Sequence, residues 1–215
     1  MGGASSISVR ERWGRLPSRR KYGLCAGVLV PGMCLYVAVL AVAGAVWWGE
    51  SHELFHENAP GTWMSVTLLF VCAAVAWSTR ERWRRAEVEA YPVWTHATYA
   101  FLIAALDDWF RFHESLDNFR AWLMGIDPKH MVWGNLDYAL VALYGVYLLI
   151  VAWKYRRALL AIRPLVWFGS AGAVVFAGMV FADAWRISGW LEDGLKLIAI
   201  ALFLAALLAG FWRDK

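Results

Sequence analysis

Charged side chains are scarce in this 215-residue chain: 18% of its residues are Asp, Glu, Lys or Arg, whereas 60% are hydrophobic. Soluble domains carry about 25% charged residues, so the composition excludes a soluble enzyme, a nucleic-acid-binding domain and a disordered protein. The three cysteines all lie within apolar segments, which excludes a disulfide framework. The chain also lacks a phosphate-binding glycine loop, a serine-nucleophile elbow and a CxxCH motif. These absences argue against nucleotide hydrolysis, serine-hydrolase chemistry and covalently bound haem.

Six apolar segments are typical of an all-α, polytopic transmembrane helix bundle. The predicted spans lie at about residues 22–48, 62–78, 93–109, 138–153, 164–180 and 195–212. Since a helix rises about 1.5 Å per residue, such segments match a hydrocarbon core about 30 Å thick. A basic segment of residues 1–21 precedes the transmembrane domain of residues 22–212, and the longest predicted periplasmic connection covers residues 107–137. We therefore expect an integral membrane protein in contact with the lipid bilayer.

The distribution of charge predicts the orientation. The N-terminal segment, the connections after the second and fourth spans, and the C-terminal end hold 16 of the 21 basic residues. The opposite connections hold 12 of the 17 acidic residues. By the positive-inside rule both termini are cytoplasmic, as in a multi-pass protein of a bacterial inner membrane. A basic start before an apolar run is also typical of a cleaved signal peptide, but this run continues into Trp47 and Trp48, which favours an uncleaved first helix.

An HExxH pattern follows the first span, formed by His52, Glu53 and His56. On a helix the two imidazoles would lie one turn apart and hold a zinc ion, and Glu53 could take a proton from bound water. The surrounding caps and breakers allow only a short helix, and no third ligand follows at a recognisable spacing. A solvated acidic loop explains the same residues, so both interpretations stay open.

A second polar group ends the third span, where Asp107, Asp108, Arg111, His113 and Glu114 follow one another. At about 100° per residue, the side chains of Asp107, Arg111 and Glu114 would share one helix face. Ionisable groups at membrane depth usually face a bundle interior or a watery cavity. This favours a site with Asp107 and Glu114 as catalytic candidates and His113 as a metal ligand. A salt-bridged helix end, with Asp107 and Arg111 at i,i+4, explains the pattern equally well.

A third polar group flanks the connection between the last two spans and consists of Asp183, Glu192, Asp193 and Lys196. Helix capping alone explains Glu192 and Asp193, and Lys196 could extend its amine to the interface. Because the outer ends of the helices lie close together, we expect these residues to join the other acids and histidines. Asp, Glu and His together are typical of a carboxylate–histidine site for a divalent metal, zinc or iron, or of a proton relay.

Some of these residues resemble known families. Asp107-Asp108 followed by His113-Glu114 resembles the DExxxxHE pattern of an uncharacterised family of small polytopic bacterial membrane proteins, with Asp108 where that pattern has Glu. Segments 55–58 and 191–196 resemble the acidic stretches before its second and last helices. The resemblance covers the chain from about residue 50 onward and implies polar residues at corresponding helix ends, but no activity.

A second likeness is to membrane hydrolases of the alkaline-ceramidase type, which hold zinc with Asp and His ligands at helix ends. Those proteins have seven helices and a late pair of histidines, whereas this chain has six predicted spans and no histidine after His130. The likeness implies a zinc-dependent lipid hydrolase.

Three functions stay open. The preferred one is a subunit or assembly factor of a larger membrane complex, with a stripe of small residues at Gly169, Ala173 and Ala177 as a surface for a membrane-protein partner. One alternative is a metal-dependent hydrolase acting on a lipid or peptide at the outer face, and the other is a proton-coupled transporter. No nucleic-acid partner is expected, because topology accounts for the basic residues. Whether the chain is an enzyme stays undecided.

Overall fold

The computed structural model describes residues 17–48, 59–112, 115, 119, 122–123, 125, 136–185, 187 and 189–212. Within these residues the chain forms seven helices and no strand. The helices are α1 (Ser18–Trp48), α2 (Pro60–Arg85), α3 (Pro92–Phe110), α4 (Leu136–Lys154), α5 (Arg156–Leu160), α6 (Arg163–Ala184) and α7 (Gly189–Phe211). The all-α prediction is therefore confirmed for the described part of the chain.

Among the residues that the structure describes, four segments are long and apolar enough to cross a membrane. They are Gly23–Val46, Pro60–Arg85, Arg163–Asp183 and Trp190–Phe211. The helices thus support the prediction of a membrane protein. Six crossings and cytoplasmic termini stay predictions.

Helices also cover the other two predicted spans. α3 is 19 residues long and includes His96, Asp107 and Asp108, which reduce its mean hydropathy. Within α4, Ala142–Lys154 form an apolar helical segment. That α3 and α4 cross the membrane stays a prediction.

α7 is the central helix, because it packs against α1, α2 and α6, while α2 also pairs with α3. The buried face of α2 includes Ser65, Leu69, Cys72, Ala76 and Thr79, which recur at intervals of three and four residues. This spacing produces the side-chain seam of closely aligned helices. The apolar core of the bundle lies along this seam.

Two glycines of α7 allow neighbouring helices to approach closely. A Cβ atom on Gly210 would lie 2.3 Å from Cη2 of Trp94, and one on Gly194 would lie 2.8 Å from Cγ1 of Val37. Neither separation is possible between non-bonded carbon atoms, which pack at about 3.5–4.0 Å. Glycine at these positions therefore leaves room for the Trp94 ring of α3 and the Val37 side chain of α1 against α7.

Side-chain contacts define the direction of each helix. Ser65 near the start of α2 contacts Asp108 near the end of α3, and Arg80 Nε near the end of α2 donates to Thr95 Oγ1 at 2.9 Å near the start of α3. α2 and α3 are therefore antiparallel. Lys196 near the start of α7 also contacts Asp108, so α7 runs parallel to α2.

The bundle consequently has two distinct ends. We call them the Asp108 end, which holds Ser65, Asp108 and Lys196, and the Arg82 end, which holds Arg82 and Phe211. The arginine-rich last turns of α2 lie at the Arg82 end, opposite the carboxylates of α3. This separation places the two sets of charges at opposite ends of the bundle.

Candidate functional site

The Asp108 carboxylate is the centre of the polar group that the structure describes most fully. It lies in the last turn of α3, and its side chain is 11% exposed. Oδ1 accepts a hydrogen bond from Lys196 Nζ in an ion pair, and Oδ2 accepts one from Ser65 Oγ. We call Ser65, Asp108 and Lys196 the Asp108 triad. It joins α2, α3 and α7 through side chains that are distant in sequence.

Ser65 has two acceptors within reach. Its Oγ atom also lies 2.9 Å from the carbonyl oxygen of Thr62 in the preceding turn of α2. A hydroxyl has one proton, so Ser65 donates to one acceptor at a time. An ionised carboxylate forms the stronger hydrogen bond, which favours donation to Asp108.

Electrostatics make the triad costly to disrupt. The Lys196 side chain is 26% exposed and the Asp108 side chain less so, so both charges are largely removed from water. Each ion is stable there only because the other neutralises it. Both Asp108 oxygens are engaged within the described structure, which suits a structural link between helices better than a free base or metal ligand.

Other predicted site residues lie near the same end of the bundle. Asp107 precedes Asp108 in α3, Glu192 and Asp193 lie near the start of α7, and Asp183 lies in the last turn of α6. All four are partly buried. Asp107, Glu192 and Asp193 are engaged in further hydrogen-bonded or electrostatic interactions, so the carboxylates form part of a wider polar surface.

Arg111 does not continue the helix as the spacing predicts. α3 ends at Phe110, and Arg111 adopts a left-handed conformation with φ 56° and ψ 44°. Its backbone N–H donates to the Asp107 carbonyl oxygen at 2.6 Å, which caps the helix. The helix face predicted for Asp107 and Arg111 is therefore interrupted at Arg111, and Glu114 lies outside the described residues.

The proposed metal ligands and their neighbours lie outside the described residues. These are His52, Glu53, His56, His113 and Glu114. Among the residues that the structure does describe, no group of three or more His, Cys, Asp or Glu side chains could hold a metal ion. The histidine-containing zinc or iron site stays a prediction.

Aromatic side chains flank the triad. The rings of Trp63 and Trp109 form a T-shaped pair with centroids 5.0 Å apart, next to Ser65 and Asp108 in sequence. Both indoles are about half exposed, as expected for tryptophans at the boundary between headgroups and hydrocarbon.

Sequence reasoning missed the polar links of α4. His96 Nδ1 lies 2.6 Å from Tyr147 Oη, and the Tyr144 hydroxyl donates to the Ala100 carbonyl oxygen. These contacts attach α4 to α3. The available signal was Tyr144 and Tyr147, about one turn apart in α4, together with His96 in a neighbouring predicted span. Ser65 gave no such signal, because one serine in an apolar run usually bonds within its own helix.

A family model described as "Domain of unknown function (DUF8692)" matches residues 22–210. Its description states neither a motif nor an activity. No curated protein and no solved structure matches the chain. The likenesses to the DExxxxHE pattern and to alkaline-ceramidase-type hydrolases stay predictions.

Proposed function

We propose that this chain, which belongs to the DUF8692 family, is a membrane-embedded subunit or assembly factor of a larger membrane complex. The family description assigns no activity, so the proposal is argued from the surface of the chain itself. The observation that carries this proposal is the uncovered side of α6. The occupant that we propose for this side is a transmembrane helix of a partner protein.

α6 is the least covered of the four candidate spans. Only 11% of its 18-residue apolar stretch is buried within the bundle, whereas 61% of the corresponding stretch of α7 is buried. One side packs on α7, where a Cβ atom on Gly172 would lie 3.0 Å from the Phe203 ring. On the other side, Trp167, Val174 and Phe181 are exposed.

Small side chains occupy part of this open side. Ala173 and Ala177 are exposed, whereas Gly169, the third member of the predicted stripe, lies near the Cβ atom of Ala206 in α7. Small residues let the backbones of two helices approach within a membrane, where apolar surface alone gives no net attraction. Contact with lipid does not require them.

Large aromatic residues lie on either side of the small ones. Trp167 is 76% exposed near the start of α6, and Phe181 and Trp185 are exposed near its end. The last two rings stack with centroids 3.9 Å apart, so they present a preformed flat surface. Exposed aromatic anchors beside a smooth patch are typical of binding surfaces.

Photo-cross-linking in the native membrane tests the proposal. A photoreactive amino acid at Ala177 should give a discrete product containing a second membrane polypeptide. The matched position is Val28 in α1, which is 73% exposed and apolar. The same products at both positions, or lipid adducts alone at Ala177, would contradict a partner surface on α6.

Substitution gives a second test of the same surface. Ala177→Trp should abolish the cross-link formed from Ala173, because the indole fills the space for the partner helix. Val28→Trp should leave it unchanged. Both variants should accumulate normally, because neither side chain is buried within the chain.

A proton-coupled transporter is the second candidate, and the Asp108 triad is the observation that favours it. Ionisable residues in transmembrane bundles commonly mark ion pathways. This function predicts that Asp108→Asn and Lys196→Met each reduce ion-dependent flux in proteoliposomes, in protein shown by gel filtration to be assembled. Glu89→Gln, at an exposed carboxyl outside the predicted polar groups, is the control. Unchanged flux in both triad variants would exclude this candidate.

A further inference from the structure

We propose that a groove at the Arg82 end binds the headgroup of an anionic phospholipid. The groove lies between the last turns of α2 and the end of α7, and its volume is about 530 Å³. Its lining includes Trp77, Glu81, Arg82, Arg85 and Phe211. Sites for small molecules occupy about 300–1,000 Å³, so a phosphate with its glycerol fits this volume.

The groove carries net positive charge although Glu81 lines it. One Glu81 carboxylate oxygen accepts a hydrogen bond from Arg80 Nη1, and the other accepts one from Arg84 Nη2 at 2.8 Å. Arg80 and Arg84 thus neutralise this carboxylate. Arg82 and Arg85 remain to attract an anion.

Arg82 is held in place by α7. Its Nη1 donates to the Phe211 carbonyl oxygen at 2.7 Å, and its guanidinium carbon lies 5.5 Å from the centroid of the Phe211 ring. A guanidinium has five N–H donors, so Arg82 keeps donors for a phosphate after this contact. Arg85 is exposed and forms no hydrogen bond or ion pair with another residue that the structure describes. The two side chains can therefore provide bidentate contacts to phosphate oxygens.

The position of the groove beside an interfacial tryptophan favours a lipid headgroup over a free phosphate ion as its ligand. Trp77 is exposed and lies beneath the Arg80 guanidinium, 4.5 Å from the ring centroid, as expected for an interfacial tryptophan. Trp77 and Arg82 are separated by about 7.5 Å along the helix axis, at about 1.5 Å per residue. The headgroup layer on each side of a bilayer is about 5–8 Å thick. A lipid whose acyl chains contact Trp77 thus places its phosphate near Arg82 and Arg85.

Native mass spectrometry of the full chain in uncharged detergent tests this site. The probes are dihexanoyl phosphatidylglycerol, dihexanoyl phosphatidylcholine and inorganic phosphate. We expect phosphatidylglycerol to bind most tightly. Each arginine contributes about 1 kcal/mol, so Arg85→Gln should weaken binding about fivefold and Arg82→Gln/Arg85→Gln about thirtyfold.

The controls separate the groove from general surface charge and from misfolding. Arg156→Gln/Arg157→Gln removes two exposed arginines of α5 outside the groove and should leave binding unchanged. Arg85→Gln breaks no hydrogen bond within the described structure, so its effect does not depend on the packing of Arg82. The proposal is overturned if Arg85→Gln has no effect, if the α5 variant weakens binding equally, or if phosphatidylcholine or inorganic phosphate binds as tightly as phosphatidylglycerol.

Discussion

Asp108→Asn should destabilise the bundle strongly, because it leaves Lys196 charged at the junction of three helices. One-sided loss of a fully buried ion pair costs about 3–5 kcal/mol, whereas a surface pair contributes about 0–1 kcal/mol. The Asp108 and Lys196 side chains are 11% and 26% exposed, which is closer to the buried case. We therefore expect the free energy of unfolding to fall by about 2–3 kcal/mol for Asp108→Asn, and similarly for Lys196→Met.

The double variant distinguishes an ion pair from two independent effects. Asp108→Asn/Lys196→Met leaves no unpaired charge, so its cost should be close to that of one single variant. The resulting coupling energy should be about 1.5–3 kcal/mol, within the range found for residues in direct contact.

Ser65→Ala should lower the free energy of unfolding by about 1–3 kcal/mol, because the Ser65 hydroxyl donates to a charged group.

Unfolding of the purified chain by SDS in mixed micelles, followed by circular dichroism, provides these free energies. Asp183→Asn and Lys154→Met are the matched controls: each removes the same kind of charge outside the triad, and each should stay within about 0.5 kcal/mol of the native protein. Single triad variants that also stay within this range would refute the reasoning. So would a double variant whose cost equals the sum of the two.

Gly210→Ala should lower the free energy of unfolding by about 1–3 kcal/mol, because the added methyl group meets the Trp94 ring. Gly23→Ala is the control and should be neutral or stabilising, because nothing lies within 4 Å of its added Cβ atom. Equal free energies of unfolding for the two variants would contradict the close contact of Trp94 with α7. If the predicted outer cluster holds zinc or iron, elemental analysis of protein purified without chelators should find near-stoichiometric metal that is lost in His113→Ala. Loss in His56→Ala as well would make the HExxH pattern part of the site, and metal-free samples throughout would remove the hydrolase alternative.

Hydropathy predicted the helices well because helix formation in a membrane depends on local composition. Without water to bond the backbone, a long apolar run has to form a helix. The number of crossings stays a prediction. α3 contains the polar residues His96 and Asp108, which lower its mean hydropathy. A mean hydropathy does not show that Tyr147 and Lys196 pair with these side chains and so reduce the free-energy cost of burying them.

The candidate site could be predicted as a group of residues but not as a geometry. Local spacing suggested pairs at i,i+4, whereas the structure pairs Asp108 with Lys196, 88 residues later. The pairing of helices depends on side-chain packing, such as the contact of Gly210 with Trp94. No local sequence pattern specifies this pairing. The left-handed conformation of Arg111, which ends α3, was likewise not predictable from the neighbouring residues.

The most direct test of the proposed subunit function is the mass of the intact particle released from its native membrane in mild detergent. Native mass spectrometry should show the chain together with at least one different polypeptide, and Ala177→Trp should release that polypeptide while Val28→Trp retains it. A monodisperse particle that contains this chain alone, with or without bound lipid, would contradict the proposal.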